Sequence, residues 1–284
     1  MNAPARRIAI ITDSTCDLPT QMLEQYGISV VPLYLLWGED QLLDGIEITN
    51  QSFYERLARD PVHPSTSQPT PADFVGAIEQ AGAEEVLIIT ISQALSGTWE
   101  SAHQAASLVD VPVRVVNSFS LSMGLGWHVW AAAQVREEGG DIEAMIAAAE
   151  RVREHTSFLL TVETLEYLHR GGRIGGAAKL LGSLIQLKPL LGVNHTTGTL
   201  EAVERTRTRK KALDQLIAET LRRFEPQSPS HIAVVHAAAE EDARQVMQAI
   251  ERECDPVEMV LSEITPVLGV HGGPGLVAIG AHNA

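Results

Sequence analysis

The chain has 284 residues, 45% of them hydrophobic and 20% charged, a composition that is typical of folded globular proteins and argues against disorder. Its length favours two packed domains over one. The net charge of −15 argues against a nucleic acid or an anionic membrane as the partner of the whole chain.

The first half of the chain alternates predicted strands and helices. Apolar runs and helix boundary signals predict, in chain order, a buried strand at 7–11, a helix at 18–27, a β-rich run at 28–37, helices at 50–59 and 70–82, a strand at 86–91, a helix at 96–109, a strand at 113–117, and helices at 121–138 and 141–153. The spacing between 86 and 138 predicts βαβ crossovers and a parallel sheet.

The second half predicts a second set of strands and helices. These are a strand at 157–162, a helical turn at 165–173 ended by glycines, a hairpin at 193–203, a helix at 208–223, a strand at 232–236, a helix at 240–253, and strands at 257–261 and 276–279. The run 179–191 is apolar almost all round, which requires burial as core or as the wall of a ligand tunnel. We therefore predict an α/β fold of two α/β domains, residues 1–156 and 157–284, the first with a largely parallel sheet flanked by helices.

Five turns rich in hydroxyls or glycine follow predicted strands or precede predicted helices. They are Thr12 to Cys16, Thr66-Ser67-Gln68-Pro69, Ser96-Gly97-Thr98, Ser118 to Ser122, and His271-Gly272-Gly273-Pro274-Gly275. Short hydroxyls and exposed N–H groups at one sheet edge can hold an anion without a fixed cation. Taken singly, each hydroxyl can instead cap a helix, and each glycine can serve only a tight turn. Their joint occurrence favours one shared crevice.

Motifs of common enzyme classes are absent from the sequence. No Gly-x-Ser-x-Gly elbow, P-loop, complete dinucleotide fingerprint or zinc-ligand spacing occurs. A chain without these signatures is expected to bind rather than react, although distant residues can still assemble a catalytic triad. Aromatic residues make up only 5% of the chain, so a pocket is expected to have aliphatic walls that suit an alkyl chain.

Positive charge is concentrated in one segment of this acidic protein. Between Arg170 and Lys211, nine basic residues stand against two acidic ones, so that segment carries +7 and the rest of the chain −22. The cluster can be a set of solvated helix ends, or it can be a docking surface for phosphate or an acidic partner.

Several of these segments together resemble the motifs of the DegV family, in the family's order and over nearly the whole chain. They are Ile11-Thr12-Asp13-Ser14-Thr15-Cys16-Asp17-Leu18-Pro19, Thr66-Ser67-Gln68-Pro69, Leu95-Ser96-Gly97-Thr98 with Ser101-Ala102, Gly171-Gly172-Arg173-Ile174, Lys188-Pro189-Leu190-Leu191, and His271-Gly272-Gly273-Pro274-Gly275. One departure is the hairpin Asn194 to Thr199, where the family commonly carries a Gly-Lys pair.

The resemblance implies a non-enzymatic carrier that binds one long-chain fatty acid in a tunnel between two domains. It implies that Thr66, Ser67, Ser96 and Gly97, with His271 close by, hold the carboxylate. It further implies a partner fatty acid kinase that phosphorylates the bound carboxylate and docks on Arg173, Arg205 and Arg207. No metal or cofactor is expected besides the fatty acid ligand.

Two alternative functions remain open at this stage. One is a serine hydrolase in which His271 activates Ser96, and the other is a lipid sensor that uses the same pocket without phosphoryl transfer. Because Cys16 and Cys254 are too few for a disulfide framework, and the N-terminal apolar run is too short for a signal or membrane segment, we expect a cytoplasmic protein.

Overall fold

The computed structural model describes residues 7–183, 187–223 and 230–283, which form three sheets and the helices around them. The strands are β1 (Ile8–Asp13), β2 (Ile28–Val31), β3 (Tyr34–Trp37), β4 (Asp40–Leu43), β5 (Ser65–Ser67), β6 (Glu85–Thr90), β7 (Val113–Asn117), β8 (Thr156–Thr161), β9 (Lys188–Asn194), β10 (Thr199–Thr206), β11 (Ser230–His236), β12 (Glu258–Glu263) and β13 (Val277–Asn283).

The helices lie between these strands. They are α1 (Thr20–Gln25), α2 (Asn50–Leu57), α3 (Pro71–Ala81), α4 (Thr98–Ala106), α5 (Met123–Glu137), α6 (Ile142–His155), α7 (Glu166–Arg170), α8 (Arg209–Arg223), α9 (Glu240–Glu251) and α10 (Pro266–Gly272). Local sequence sets many of their ends. In α3, Thr70 and Asp73 form a reciprocal capping box, and Gly82 ends the helix in the left-handed conformation.

The first large sheet is the parallel sheet that the sequence predicts. Its strand order is β2-β1-β6-β7, and every neighbouring pair is parallel. The carboxyl ends of β1, β6 and β7 therefore lie at one edge, and the hydroxyl-rich turns that follow them lie there too.

The second large sheet is mixed, with strand order β10-β9-β8-β13-β11-β12. Within the described residues, β11 and β12, which α9 connects, are its one parallel pair; β9 and β10 form a hairpin, and the remaining neighbours are antiparallel. The predicted hairpin is present as β9 and β10, with Gly198 in the turn. The α/β fold class is confirmed, and the domain boundary after residue 156 stays a prediction.

Helix α5 packs between the two large sheets. Most of its side chains are buried, and the Trp127 Nε1 donates to the Gly280 carbonyl oxygen at 3.0 Å. The largest apolar cluster contains Ile10 of the parallel sheet, Trp127 of α5 and Leu160 of the mixed sheet, so the two sheets share a core.

The β-rich run at 28–37 is present as two strands, β2 and β3, which lie on either side of Pro32 and join different sheets, because proline cannot donate a ladder hydrogen bond. Two details of the predicted secondary structure are wrong. Thr66 and Ser67 lie on strand β5 of a small antiparallel sheet (β4-β3-β5) and not in a turn, and His271 lies in the last turn of α10.

The apolar run 179–191 contains more than one kind of structure. A 3₁₀ segment spans Gly175–Ser183, and β9 begins at Lys188. Leu180, Leu190 and Leu191 are fully buried in it, while residues 184–186 lie outside the described part of the chain.

Candidate functional site

A cavity lies between the carboxyl edge of the parallel sheet and the mixed sheet. All five segments identified in the sequence contribute to its wall, which confirms that they converge on one crevice. The lining residues are Thr15, Leu33, Thr66, Ser67, Gln68, Ile91, Leu95, Ser96, Leu121, Ser122, Phe158, Leu160, Leu168, Arg173, Leu200, Val235, Ile264, Val267, Leu268, His271, Gly272 and Leu276.

Most of this wall is aliphatic, as the scarcity of aromatic residues predicts. Phe158 is the one Phe, Tyr or Trp among the described lining residues. Gly280 lies opposite Phe158 on β13, and a Cβ on Gly280 would lie 3.2 Å from the Phe158 ring. The wall therefore suits a flexible hydrocarbon and offers little stacking surface for a purine or a sugar.

The cavity has a volume of about 70 Å³.

Polar side chains gather at one end of the cavity. Thr66 and Ser67 come from β5, Ser96 from the turn before α4, and His271 from α10. The Thr66 Oγ1 and the His271 Nε2 are 2.8 Å apart, and the Ser96 Oγ and the Thr98 Oγ1 are also 2.8 Å apart. Four of the five residues predicted to hold a carboxylate thus line the same cavity.

His271 is neutral near pH 7. Burial, with smaller contributions from Arg173 and His63, lowers its pKa to about 4. A neutral imidazole donates from one nitrogen and accepts at the other. Its buried Nδ1 has no hydrogen-bond partner among the described residues, so Thr66 is the contact that orients the ring.

Arg173 also lines this end of the cavity, which adds a fixed cation to the hydroxyl groups that the sequence indicated. Its Nε donates to the Leu95 carbonyl oxygen at 3.1 Å, and its Nη1 donates to the Gly171 carbonyl oxygen at 2.7 Å. Two of the five N–H donors of a guanidinium are thereby used. The family resemblance implies a docking role for Arg173, which stays a prediction; the sequence alone does not show that the Gly171-Gly172 turn brings this side chain to the cavity.

The other predicted residues lie outside the cavity wall. Gly97 is behind Gln68, since a Cβ on Gly97 would come within 2.8 Å of the Gln68 Nε2. Arg205 and Arg207 are exposed and form no ion pair with any residue in the described ranges.

Ser96 and His271 do not form a nucleophile–base pair. The His271 Nε2 faces Thr66, and no described carboxylate contacts its Nδ1. The geometry required for a serine hydrolase is therefore missing from the described part of the chain.

Sequence reasoning did not single out Thr15, Gln68 or Ser122 as site residues. Ser122 has φ 53° and ψ −144°, a conformation that costs a non-glycine residue about 1–3 kcal/mol. The Ser122 Oγ donates to the Asp17 Oδ2 at 2.5 Å, which holds it in place. Its position in a hydroxyl-rich turn after β7 was the available signal.

The described residues contain no helix that is both long and apolar enough to span a bilayer. They also contain no group of three or more His, Cys, Asp or Glu placed to hold a metal ion.

Comparisons with known proteins identify related sequences and similar solved structures. A DegV domain-containing protein of Streptomyces coelicolor is 38% identical over 280 residues, which cover 97% of this chain and 98% of the relative. A solved structure described as fatty acid binding of a DegV family protein from Thermus thermophilus has a TM-score of 0.92 at 35% identity, covering 98% of this chain and 100% of that one.

A second solved structure is similar over the same length. DegV of Bacillus subtilis, described as a fatty acid binding protein, has a TM-score of 0.91 at 31% identity and covers 98% of this chain and 100% of its own. A family model described as an uncharacterised protein of the DegV family matches residues 7–283. The chain therefore belongs to the DegV family.

Proposed function

We propose that this protein binds a long-chain fatty acid and presents its carboxylate to a partner kinase for phosphorylation. The observation that carries the proposal is one largely aliphatic cavity that ends at Thr66, Ser96, Arg173 and His271. The fatty acid binding described for DegV proteins from Thermus thermophilus and Bacillus subtilis supports it.

The acyl chain supplies most of the affinity in this proposal. Burying some fifteen methylenes at about 0.8 kcal/mol each yields roughly 12 kcal/mol before the costs of association and ordering. Hydrogen bonds from charged or neutral donors to the carboxylate add about 1–3 kcal/mol each. The polar end therefore sets the orientation of the ligand and its preference for an acid.

His271 and Thr66 act together on the carboxylate. A threonine hydroxyl has one proton, so Thr66 can donate to a ligand only if it accepts from the imidazole. The tautomer that permits this carries its proton on Nε2. We assign the order His271 Nε2–H to Thr66 Oγ1, and Thr66 Oγ1–H to the carboxylate, with Ser67, Ser96 and the Arg173 guanidinium completing the head-group site.

A partner kinase would approach the polar end of the cavity. Arg205 and Arg207 are exposed and unpaired within the described residues, as a surface that receives an acidic or phosphate-bearing partner requires. Phosphoryl transfer depends largely on positioning and charge neutralisation, and the carrier contributes both. The free thiols of Cys16 and Cys254 suit the cytoplasm, where we place this function.

The test is organic extraction of the purified protein followed by mass spectrometry. We expect about one equivalent of fatty acid per chain after exposure to a fatty acid mixture. An empty extract from exposed protein would refute the proposal. Pull-down with the tagged, loaded protein then separates a kinase-serving carrier from a lipid sensor that has no kinase partner.

A further inference from the structure

Helix α10 brings four residues to the cavity, and two carboxylates from the other half of the chain hold its first turn. Val267, Leu268, His271 and Gly272 line the wall. The Thr265 N–H donates to the Asp17 Oδ1 at 3.0 Å, and the Val267 N–H donates to the Asp44 Oδ1 at 3.1 Å. Asp17 and Asp44 are only 5% and 2% exposed.

The second oxygen of each carboxylate is fixed as well. The Ser122 Oγ donates to the Asp17 Oδ2 at 2.5 Å, and the Ser14 Oγ donates to the Asp44 Oδ2 at 2.6 Å. The Ser262 Oγ also donates to the Asp17 carbonyl oxygen at 2.8 Å. Each carboxylate therefore links α10 to a hydroxyl on the parallel-sheet side of the cavity.

Helix α10 needs such external support. It has seven residues, too few to be stable alone, and the side chain of its N-cap residue Thr265 makes no capping hydrogen bond. Its far end carries His271, whose 2.8 Å contact with Thr66 joins α10 to β5. A rotation or shift of the helix would break that contact.

Burying two carboxylates is a costly way to cap a short helix. Burial raises the pKa of Asp17 to about 8 and that of Asp44 to about 6. No described Lys or Arg forms an ion pair with either. Thr265 already stands at the N-cap, where a threonine hydroxyl could accept from the Val267 N–H at lower cost than a buried carboxylate, so stability alone does not account for the arrangement.

We propose that Asp17 and Asp44 are positioning residues of the head-group site. They hold α10 where His271 meets Thr66, and the strained Ser122 is part of the same connection. This inference rests on the proposed fatty acid function. It follows that removing either carboxylate should leave the affinity of the cavity for a hydrocarbon chain unchanged. The same change should reduce the preference of the cavity for an acid over an alcohol.

The experiment compares palmitic acid with hexadecanol as competitors of a bound fluorescent fatty acid. We expect Asp17→Ala and Asp44→Ala to lower the acid-over-alcohol preference at least tenfold, while the dissociation constant for hexadecanol changes less than threefold. Asp17→Asn and Asp44→Asn keep an acceptor for the helix N–H and should restore the preference. Asp141→Ala is the control, because Asp141 accepts from the Ala144 N–H at the start of α6, a helix that contributes no described residue to the cavity wall.

A second pair of variants keeps the test valid if the alanine variants do not fold. Asp17→Glu and Asp44→Glu retain the carboxylate but displace it by one methylene, and we expect them to reduce the acid preference too. The His271 side-chain nitrogen resonances should shift in every variant that loses the preference. An unchanged preference in both glutamate variants, or an equal loss in Asp141→Ala, would overturn the inference.

Failure of the underlying function gives a different result. If the wild-type protein binds neither palmitic acid nor hexadecanol, the fatty acid proposal is wrong and the positioning proposal falls with it. If the wild type prefers palmitic acid and the variants do so equally, only the positioning proposal is wrong.

Discussion

Replacing Thr66 with valine tests the head-group site most directly. Valine has nearly the shape of threonine but no hydroxyl, so the change leaves the cavity wall in place. It removes the proposed bond to the carboxylate and the observed 2.8 Å contact with the His271 Nε2. Thr66→Ser is the matched control, because serine retains the hydroxyl and loses only a methyl group.

The expected loss follows from the charge of the ligand. A hydrogen bond to a charged group is worth about 1.5–3 kcal/mol, which corresponds to roughly 12-fold to 150-fold in affinity. Thr66→Val should therefore weaken palmitic acid binding by that factor. Hexadecanol makes only a neutral bond, worth about 1 kcal/mol, so its affinity should fall by no more than about fivefold.

The measurement is competitive displacement at pH 7.5, with thermal unfolding to verify that the variant is folded. His271 has a pKa of about 4, so it stays neutral throughout and its titration does not contribute. Palmitic acid affinities that agree within twofold for Thr66→Val and Thr66→Ser would refute the assigned role of the hydroxyl.

Three further predictions concern the docking surface, the cavity wall and pH. Arg205→Ala should leave fatty acid affinity unchanged and slow acyl-phosphate formation by the partner kinase, with Arg151→Ala on α6 as an exposed control; loss of ligand binding would contradict this division. Gly280→Ala should press the Phe158 ring toward the cavity, because the new Cβ would lie 3.2 Å from it, and longer acyl chains should lose more affinity than shorter ones; Gly76→Ala, with open space around its Cβ, should have no such effect. Chemical denaturation should show the free energy of unfolding falling as the pH drops from about 6.5 toward 4, by up to about 1.4 kcal/mol per pH unit for each histidine whose pKa is lowered by burial. These histidines are His128 (to about 3), His195, His271 and His282 (each to about 4). A flat pH profile would contradict this prediction. Burial has the opposite effect on Asp17 and Asp44, whose pKa values it raises. The stability that each contributes is complete below pH 3.8 and is lost as the pH rises through about 8 for Asp17 and about 6 for Asp44.

The parallel sheet could be predicted from the sequence because its signals are local. Each of β1, β6 and β7 is an apolar run that ends in a hydroxyl-rich turn, and the helices between them have clear boundaries. Parallel topology then brings the turns to one edge without further information. The same logic placed Ser96 near the mouth of the cavity.

The polar end of the cavity depended on contacts that are distant in sequence. Thr66 and His271 are 205 residues apart, and they meet because β5 joins β3 while α10 packs beside that small sheet. A three-residue strand and a seven-residue helix that ends in glycines have little periodicity to detect. Both were therefore interpreted as turns, although their residues were correctly selected as candidates.

The two carboxylates illustrate why the mechanism of such a site is harder to predict than its members. In the sequence, Asp17 belongs to a polar turn and Asp44 to a loop of exposed character, so both resemble solvated residues. Their contacts with the start of α10 are visible only in the folded chain, because Thr265 lies 248 residues after Asp17 and Val267 lies 223 residues after Asp44. Asp17 fixes Ser122 with one oxygen and the first turn of α10 with the other. A ligand that orders His271 at one end of α10 must therefore also favour the arrangement of Asp17 and Asp44 at its other end, because a short helix moves as one body.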